Sequence, residues 1–350
     1  MTPYQPGKPI EELARELGIT DIVKLASNEN PRGPGPAVRA ALERAAADLS
    51  RYPDGSGYRL KAALSERLGV PAEQITLGNG SNDVLELAAR VAVSPGTEGI
   101  VDEHAFVVYP LAVVAAHGTL VTVPSSRWGH DLGGMRSRIT DATRIVFIAN
   151  PNNPTGTWVS EAEITAFLDA VPRSVWVVLD EAYCEYVSEP EYPDGIRLLA
   201  RYPNLIVTRT FSKIHGLAGL RIGYGVSAPD FADLMNRIRQ PFNTSSLALA
   251  AAEAALGDRE FVATSKALND AGMRELTDGL DALGIEGIPS IGNFVTFDCG
   301  REAMPLYEAL LRRGVIVRPV ANYGMPRHLR VSVGLPEENE RFLRALRDVM

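Results

Sequence analysis

Residues 144–183 read RIVFIANPNNPTGTWVSEAEITAFLDAVPRSVWVVLDEAY. The stretch opens on an apolar run, residues 144–149, that lacks polar–apolar alternation, as expected of a strand buried on both faces. A helix follows over residues 160–170 and begins with a capping box. The Ser160 hydroxyl can accept from the Glu163 amide while the Glu163 carboxylate reaches back. A second unalternating run, residues 175–180, completes a strand–helix–strand unit, which implies a parallel pair. Outward from it the alternation continues, with strands over residues 74–77, 99–102, 120–123 and 205–209 and helices over 82–93 and 106–117. Within the last helix, VVYP (107–110) also reads as a buried strand. The fold expected is α/β, a mainly parallel sheet with helices on both faces.

From about Pro229 the pattern changes to long helical stretches, 245–256 and 259–283. These are followed by strand-like NFVTF, a helix over 306–313, strand-like VIVRP and LRVSVG, and a helix from Pro336. This predicts a smaller α+β domain. The first thirty residues, rich in Pro, Gly and Asn, read as an extended arm. The expected division is an arm over 1–30 belonging to the small domain, a large domain over 31–240, and C-terminal helices with the small domain over 241–350.

A chain of 350 residues buries roughly three-quarters of its unfolded surface and needs no disulfide or structural metal. Its net charge of −8 argues against non-specific nucleic-acid binding, though a local basic pocket for an anion is compatible with it. Cys184 and Cys299 lack CxxC or Cys/His spacing, which points to a reducing compartment and away from zinc. The opening MTPYQPGKPIEEL has no apolar core of a signal peptide. The longest nearly apolar stretch, 105–116, is too short to cross a bilayer. The expectation is a soluble, cytoplasmic protein.

In an open parallel sheet, ligands bind beyond the carboxyl ends of the strands. GNGSND (78–83), NPNNPTG (150–156), DEAY (180–183) and TFSKIHGLAGLR (210–221) all follow candidate strands. GNGSND suits an anion held at a helix N-terminus, a tight turn, or a dinucleotide fingerprint that lacks its third glycine. Asp180 is a helix cap or the partner of a buried cation. Lys213 is a solvated lysine or, if desolvated beside another cation, a Schiff-base nucleophile. Taken together, a Schiff-base lysine, a carboxylate for a pyridinium nitrogen and a phosphate cradle meet the requirements of pyridoxal phosphate. A nicotinamide oxidoreductase has no need of Lys213 and Asp180 in this arrangement. HExxH and GxSxG are absent, which weakens metalloenzyme and hydrolase readings. A short Pro-rich arm and an acidic balance do not fit a DNA-reading regulator.

Along its whole length the sequence resembles the fold-type I pyridoxal-phosphate-dependent transferases, and most closely the histidinol-phosphate aminotransferases. PYQPGKP, KLASNENPRGP, RYPDGSG, LGNGSND, ANPNNPTG, LDEAY, RTFSKIHGLAGLRIGYG and GVIVRPVANYGMPRHLRVSVG carry the resemblance. It implies a ping-pong aminotransferase in which Lys213 forms the internal aldimine and moves the proton between Cα and C4′. Asp180 would keep the ring nitrogen protonated, Tyr183 and Asn153 would bond the ring 3-oxygen, and Phe106 would stack on the ring. Ser81, Asn82, Thr210, Ser212 and Arg221 would hold the phosphate, with Tyr52 reaching the phosphate of a neighbouring subunit in a homodimer. Substrate recognition would fall to Tyr4, Asn28, Arg318 and Arg330. Two arginines can serve both glutamate and a phosphorylated amine, because each accepts carboxylate or phosphate oxygens. The reaction implied is transfer between histidinol phosphate and 2-oxoglutarate; an aromatic or other amino-acid aminotransferase, or a decarboxylase of a phosphorylated amino acid, are the alternatives. Ile214-His215 departs from the small residue and phenylalanine that many relatives carry.

Overall fold

A computed structural model describes residues 7–350. In chain order the strands are β1 (Val23–Lys24), β2 (Ile75–Asn79), β3 (Glu98–Asp102), β4 (Thr119–Val123), β5 (Thr143–Ala149), β6 (Trp176–Asp180), β7 (Leu205–Thr210), β8 (Ile222–Ser227), β9 (Gly287–Ile288), β10 (Phe294–Asp298), β11 (Val315–Ile316), β12 (Arg318–Pro319) and β13 (His328–Ser332). Seven of them form one sheet in the order β2-β8-β7-β6-β5-β3-β4, all parallel except β8, which runs antiparallel to both neighbours.

The missing alternation in the central strands has the cause expected. Val146, Ile148, Val177, Leu179, Leu205 and Val207 pack into a core on one face, while Ile145, Phe147, Val178 and Ile206 pack into a second core on the other. The capping box forms, with the Ser160 hydroxyl accepting from the Glu163 amide as the helix Glu161–Ala170 begins. VVYP is the start of a helix, Val108–Ala115, not a strand.

Among the elements that differ from expectation are the arm and β8. The arm is not extended throughout, because IEELAREL forms the helix Ile10–Leu17 and buries Leu13. The Pro, Gly and Asn that suggested an arm flank this amphipathic segment. β8 was not legible as a strand, since its glycines lower β-propensity. A Cβ at Gly223 would lie 2.4 Å from the Ser81 nitrogen, so that glycine lets the helix Ser81–Ala92 rest directly on the sheet.

The C-terminal elements build a second sheet, β12-β13-β10-β9, and β1 pairs in parallel with β11. Their core joins Leu25 to Val295, Phe297, Leu306, Leu329 and Phe342. The helix Ser246–Gly257 instead lays Ala248, Ala251, Ala252 and Ala255 into the core of the large sheet. No helix among the described residues is long and apolar enough to cross a membrane.

Candidate active site

The parallel register brings three strand ends level: Ala149 of β5 lies beside Asp180 of β6, which lies beside Thr208 of β7. Side chains that follow these strands therefore meet at one sheet edge. They enclose a cavity of about 180 Å³ with Asn28, Ser81, Asn82, Phe106, Asn153, Asp180, Tyr183, Thr210, Ser212, Lys213, Arg221, Arg318 and Arg330 on its walls. A wider, open cleft of about 910 Å³, bordered by Arg127, His130 and Trp158, contains none of the candidate site residues named from the sequence.

Asp180 is buried. Its Oδ2 accepts from the Tyr109 hydroxyl at 2.7 Å and its Oδ1 from the Thr208 hydroxyl at 2.9 Å. Burial raises its pKa, opposed by those hydrogen bonds. Neither donor is a cation, so a protonated ring nitrogen presented from the cavity would relieve the desolvation of this carboxylate. The side chain suits that partner.

A second group of residues lining the cavity suits an anion. The helix Ser81–Ala92 starts there, preceded by Gly80 at φ 75°, and its unpaired N-terminal amides attract negative charge. A Cβ on Gly80 would lie 2.5 Å from Arg221 Nη2, so the glycine admits the guanidinium to the helix terminus. Arg221 is itself held with φ 53° and donates to the Ser212 hydroxyl at 3.4 Å and the Ala218 carbonyl at 3.1 Å. Thr210 Oγ1 accepts from the Ser212 amide at 3.1 Å. These residues could hold a phosphate.

Lys213 lines the same cavity. Its Nζ donates to the Ser27 carbonyl at 3.3 Å and sits 5.4 Å from the centre of the Tyr183 ring. Burial, with Arg330 and Arg221 nearby, lowers its pKa to about 7, against the pull of Glu29 and Asp180. Near neutral pH this amine is substantially uncharged and nucleophilic.

Hydrogen bonds orient the polar groups around it. Arg330 donates through Nη1 to Asn153 Oδ1 and through Nη2 to the Ala26 carbonyl, the latter at 2.8 Å. With Oδ1 thus engaged, the Asn153 amide group turns its donors elsewhere. Tyr183 Oη accepts from Asn28 Nδ2 at 3.0 Å. Arg318 and Arg330 are directly opposed across β12 and β13 and both are buried. Like charges facing each other in a sheet are destabilising, so the pair suits an anionic guest.

Tyr52 lies outside this cavity. It is 84% exposed and stacks on Phe242 with ring centres 4.8 Å apart. Tyr4 falls outside the described residues. His215 is buried against Phe211, with Nε2 3.8 Å from Glu185 Oε1. Sequence reasoning missed Tyr109, Tyr323 and Ser27, all of which line the cavity. The helix reading of VVYP would have indicated Tyr109, three residues beyond Phe106 and so on the same helical face. Among the described residues no group of three His, Cys, Asp or Glu could hold a metal.

Residues 20–346 match the family model for aminotransferase class I and II. The chain is 58% identical over 352 residues to a histidinol-phosphate aminotransferase 2 of Pseudomonas fluorescens, covering 100% of this chain and 95% of that one. It is 57% identical to a histidinol-phosphate aminotransferase 1 of Nitrosococcus oceani, with the same coverage. Among solved structures it resembles the histidinol-phosphate aminotransferase of Sinorhizobium meliloti in complex with pyridoxal-5′-phosphate. That likeness has a TM-score of 0.92 and 32% identity over 99% of this chain and 95% of that one.

Proposed function

The chain belongs to the class I and II aminotransferases, in the histidinol-phosphate aminotransferase family, and on that footing we propose that it moves an amino group between histidinol phosphate and 2-oxoglutarate. One observation carries the substrate reading. The opposed, buried Arg318 and Arg330 border the same cavity as Lys213. Planar guanidinium groups accept a carboxylate or a phosphate with similar geometry. A site that must take both glutamate and a phosphorylated amine in turn needs that tolerance.

Pyridoxal phosphate, when bound, supplies an electrophilic aldehyde and a ring that withdraws charge from the substrate Cα. Lys213 would anchor the group through Nζ and, once its amine is free, would carry the proton between the substrate Cα and the cofactor's C4′. Asp180 Oδ atoms hold a proton on the ring nitrogen, and Tyr109 and Thr208 fix the carboxylate for that task. Asn153 and Tyr183 donate to the ring 3-oxygen, and Phe106 packs against the ring face. Ser81, Asn82, Thr210, Ser212 and Arg221 bind the phosphate. Asn28 completes the substrate pocket with the two arginines, and the substrate contact expected of Tyr4 lies outside the described residues.

The active unit in this reading is a homodimer whose Tyr52 reaches the phosphate of its neighbour. The exposed, stacked Tyr52–Phe242 pair supports that role, because it leaves the phenol available to a second chain. A cytoplasmic location agrees with two free cysteines. A substrate panel tests the reading. The expected outcome is the highest kcat/KM for histidinol phosphate with 2-oxoglutarate. A preference for phenylpyruvate, or release of CO₂ without any keto acid, would overturn it. Mixing Lys213→Ala chains with Tyr52→Ala chains tests the dimer: activity should reappear, since one site of each mixed dimer has both native residues.

A further inference from the structure

Residues 25–28 dock along β13, and the contacts follow the two-residue period of that strand. The Ser332 amide donates to the Leu25 carbonyl at 2.9 Å, while the Arg330 side chain takes the Ala26 carbonyl. One step further, Ser332 and Asn28 form a closed pair. The Asn28 backbone N–H donates to Ser332 Oγ at 2.8 Å, and the Ser332 hydroxyl donates back to Asn28 Oδ1 at 3.0 Å. Asn28 is buried and held with φ 54°, a conformation asparagine tolerates, and its carbonyl accepts from Asn293 Nδ2 at 3.1 Å.

This arrangement fixes the direction of a hydrogen some distance from Ser332. Because Ser332 engages Oδ1, the other half of the Asn28 amide, Nδ2, is what meets Tyr183. Tyr183 Oη then serves as acceptor on that side, so its own hydrogen is free to donate into the cavity it lines. Without the Ser332 hydroxyl the Asn28 amide can rotate by half a turn. Oδ1 would then face Tyr183 and draw the phenolic hydrogen away from the cavity.

We propose that Ser332 is a positioning residue which, through Asn28, sets the Tyr183 hydroxyl hydrogen toward the cavity. The inference rests on the reading above that Tyr183 donates to the cofactor's ring 3-oxygen, and it adds a control on that donation. A phenol that donates to the ring oxygen favours the form with negative charge there, so losing the donation makes the bound chromophore hold its proton to higher pH.

The test is a pH titration of the visible absorption of the purified holoenzyme. Ser332→Ala should raise the midpoint by about 0.5–1 pH unit, the worth of one hydrogen bond, and Ser332→Thr, which keeps the hydroxyl, should restore it. Asn28→Asp reaches the same end without touching Ser332. A carboxylate there can only accept from Tyr183, so the midpoint should again rise. Tyr183→Phe should raise it too, and adding Ser332→Ala to that variant should change nothing further. An unmoved midpoint in Ser332→Ala beside a moved one in Tyr183→Phe overturns the role of Ser332 alone. Equal shifts from Ser332→Ala with and without Tyr183 overturn it as well. An unmoved midpoint in Tyr183→Phe removes the donation itself, and the inference with it.

Discussion

Tyr109 donates its hydroxyl hydrogen to Asp180 Oδ2 across 2.7 Å, from a ring stacked on Phe147 with centres 5.0 Å apart. The stacking fixes the phenol, and the phenol in turn fixes a carboxylate whose other oxygen is held by Thr208. Tyr109→Phe keeps the ring and removes the donor. A hydrogen bond to a charged group is worth about 1.5–3 kcal/mol, so kcat/KM should fall about 10- to 100-fold. Steady-state kinetics beside a thermal melt check this. Little change in Tm would place the loss at the site and not in the core.

Lys213 combines burial with two nearby guanidinium groups, and the pH dependence of the protein should report it. The amine is uncharged above its depressed pKa of about 7. Capture of cofactor aldehyde by the apoenzyme should therefore accelerate as pH rises through about 7 and then level off. Because the folded pKa lies below the unfolded one, the unfolded chain binds more protons between them. This group's contribution to apoenzyme stability accordingly rises with pH from about 7 toward 10. Arg330→Gln removes one of the lowering charges and should move the capture midpoint upward. Lys213→Ala should show no mass gain after borohydride treatment with cofactor, and turnover lower by at least about a thousandfold.

Much of this site was legible before the fold was known, and the reason is topological. Asp180 ends the buried run that became β6 and Lys213 follows the one that became β7, and the carboxyl ends of neighbouring parallel strands share an edge. What was not legible depended on partners distant in sequence. Ser332 reads as one small residue in a strand, and only its contact with Asn28, 304 positions away, gives it a task. β8 was hidden by glycines that serve the helix lying on them. The helix Ile10–Leu17 was hidden by its Pro- and Gly-rich flanks.

Gly223 yields a stability prediction with a functional consequence. A methyl group there would meet the Ser81 nitrogen at 2.4 Å and the Gly80 carbonyl carbon at 2.8 Å, both backbone atoms that cannot rotate away. Gly223→Ala should therefore lift the start of the helix Ser81–Ala92 off the sheet. Overpacking of this kind costs about 1–3 kcal/mol, visible as a lower denaturation midpoint. Equilibrium titration should show weaker binding of pyridoxal phosphate, with a smaller loss for pyridoxal, which lacks the phosphate. Equal losses for both would mean that the helix N-terminus is not the phosphate cradle.

Arg330 contacts the Ala26 carbonyl and Asn153 and opposes Arg318, so its removal should act on more than one property. Loss of a buried charge that pairs with a substrate anion costs about 2 kcal/mol or more. Arg330→Ala should accordingly raise KM for glutamate at least about 30-fold. Asn153 loses the donor that orients its amide, so kcat should fall as well, by a smaller factor. Arg330→Lys keeps a positive charge but not the paired donors, and a single ammonium cannot serve Asn153, Ala26 and a carboxylate in one plane. It should recover part of the KM and little of the kcat. If Arg330→Lys restored both, charge alone would account for the residue. If Arg330→Ala left KM for glutamate unchanged, the substrate anion would have to bind elsewhere, with Arg318 the first alternative to test.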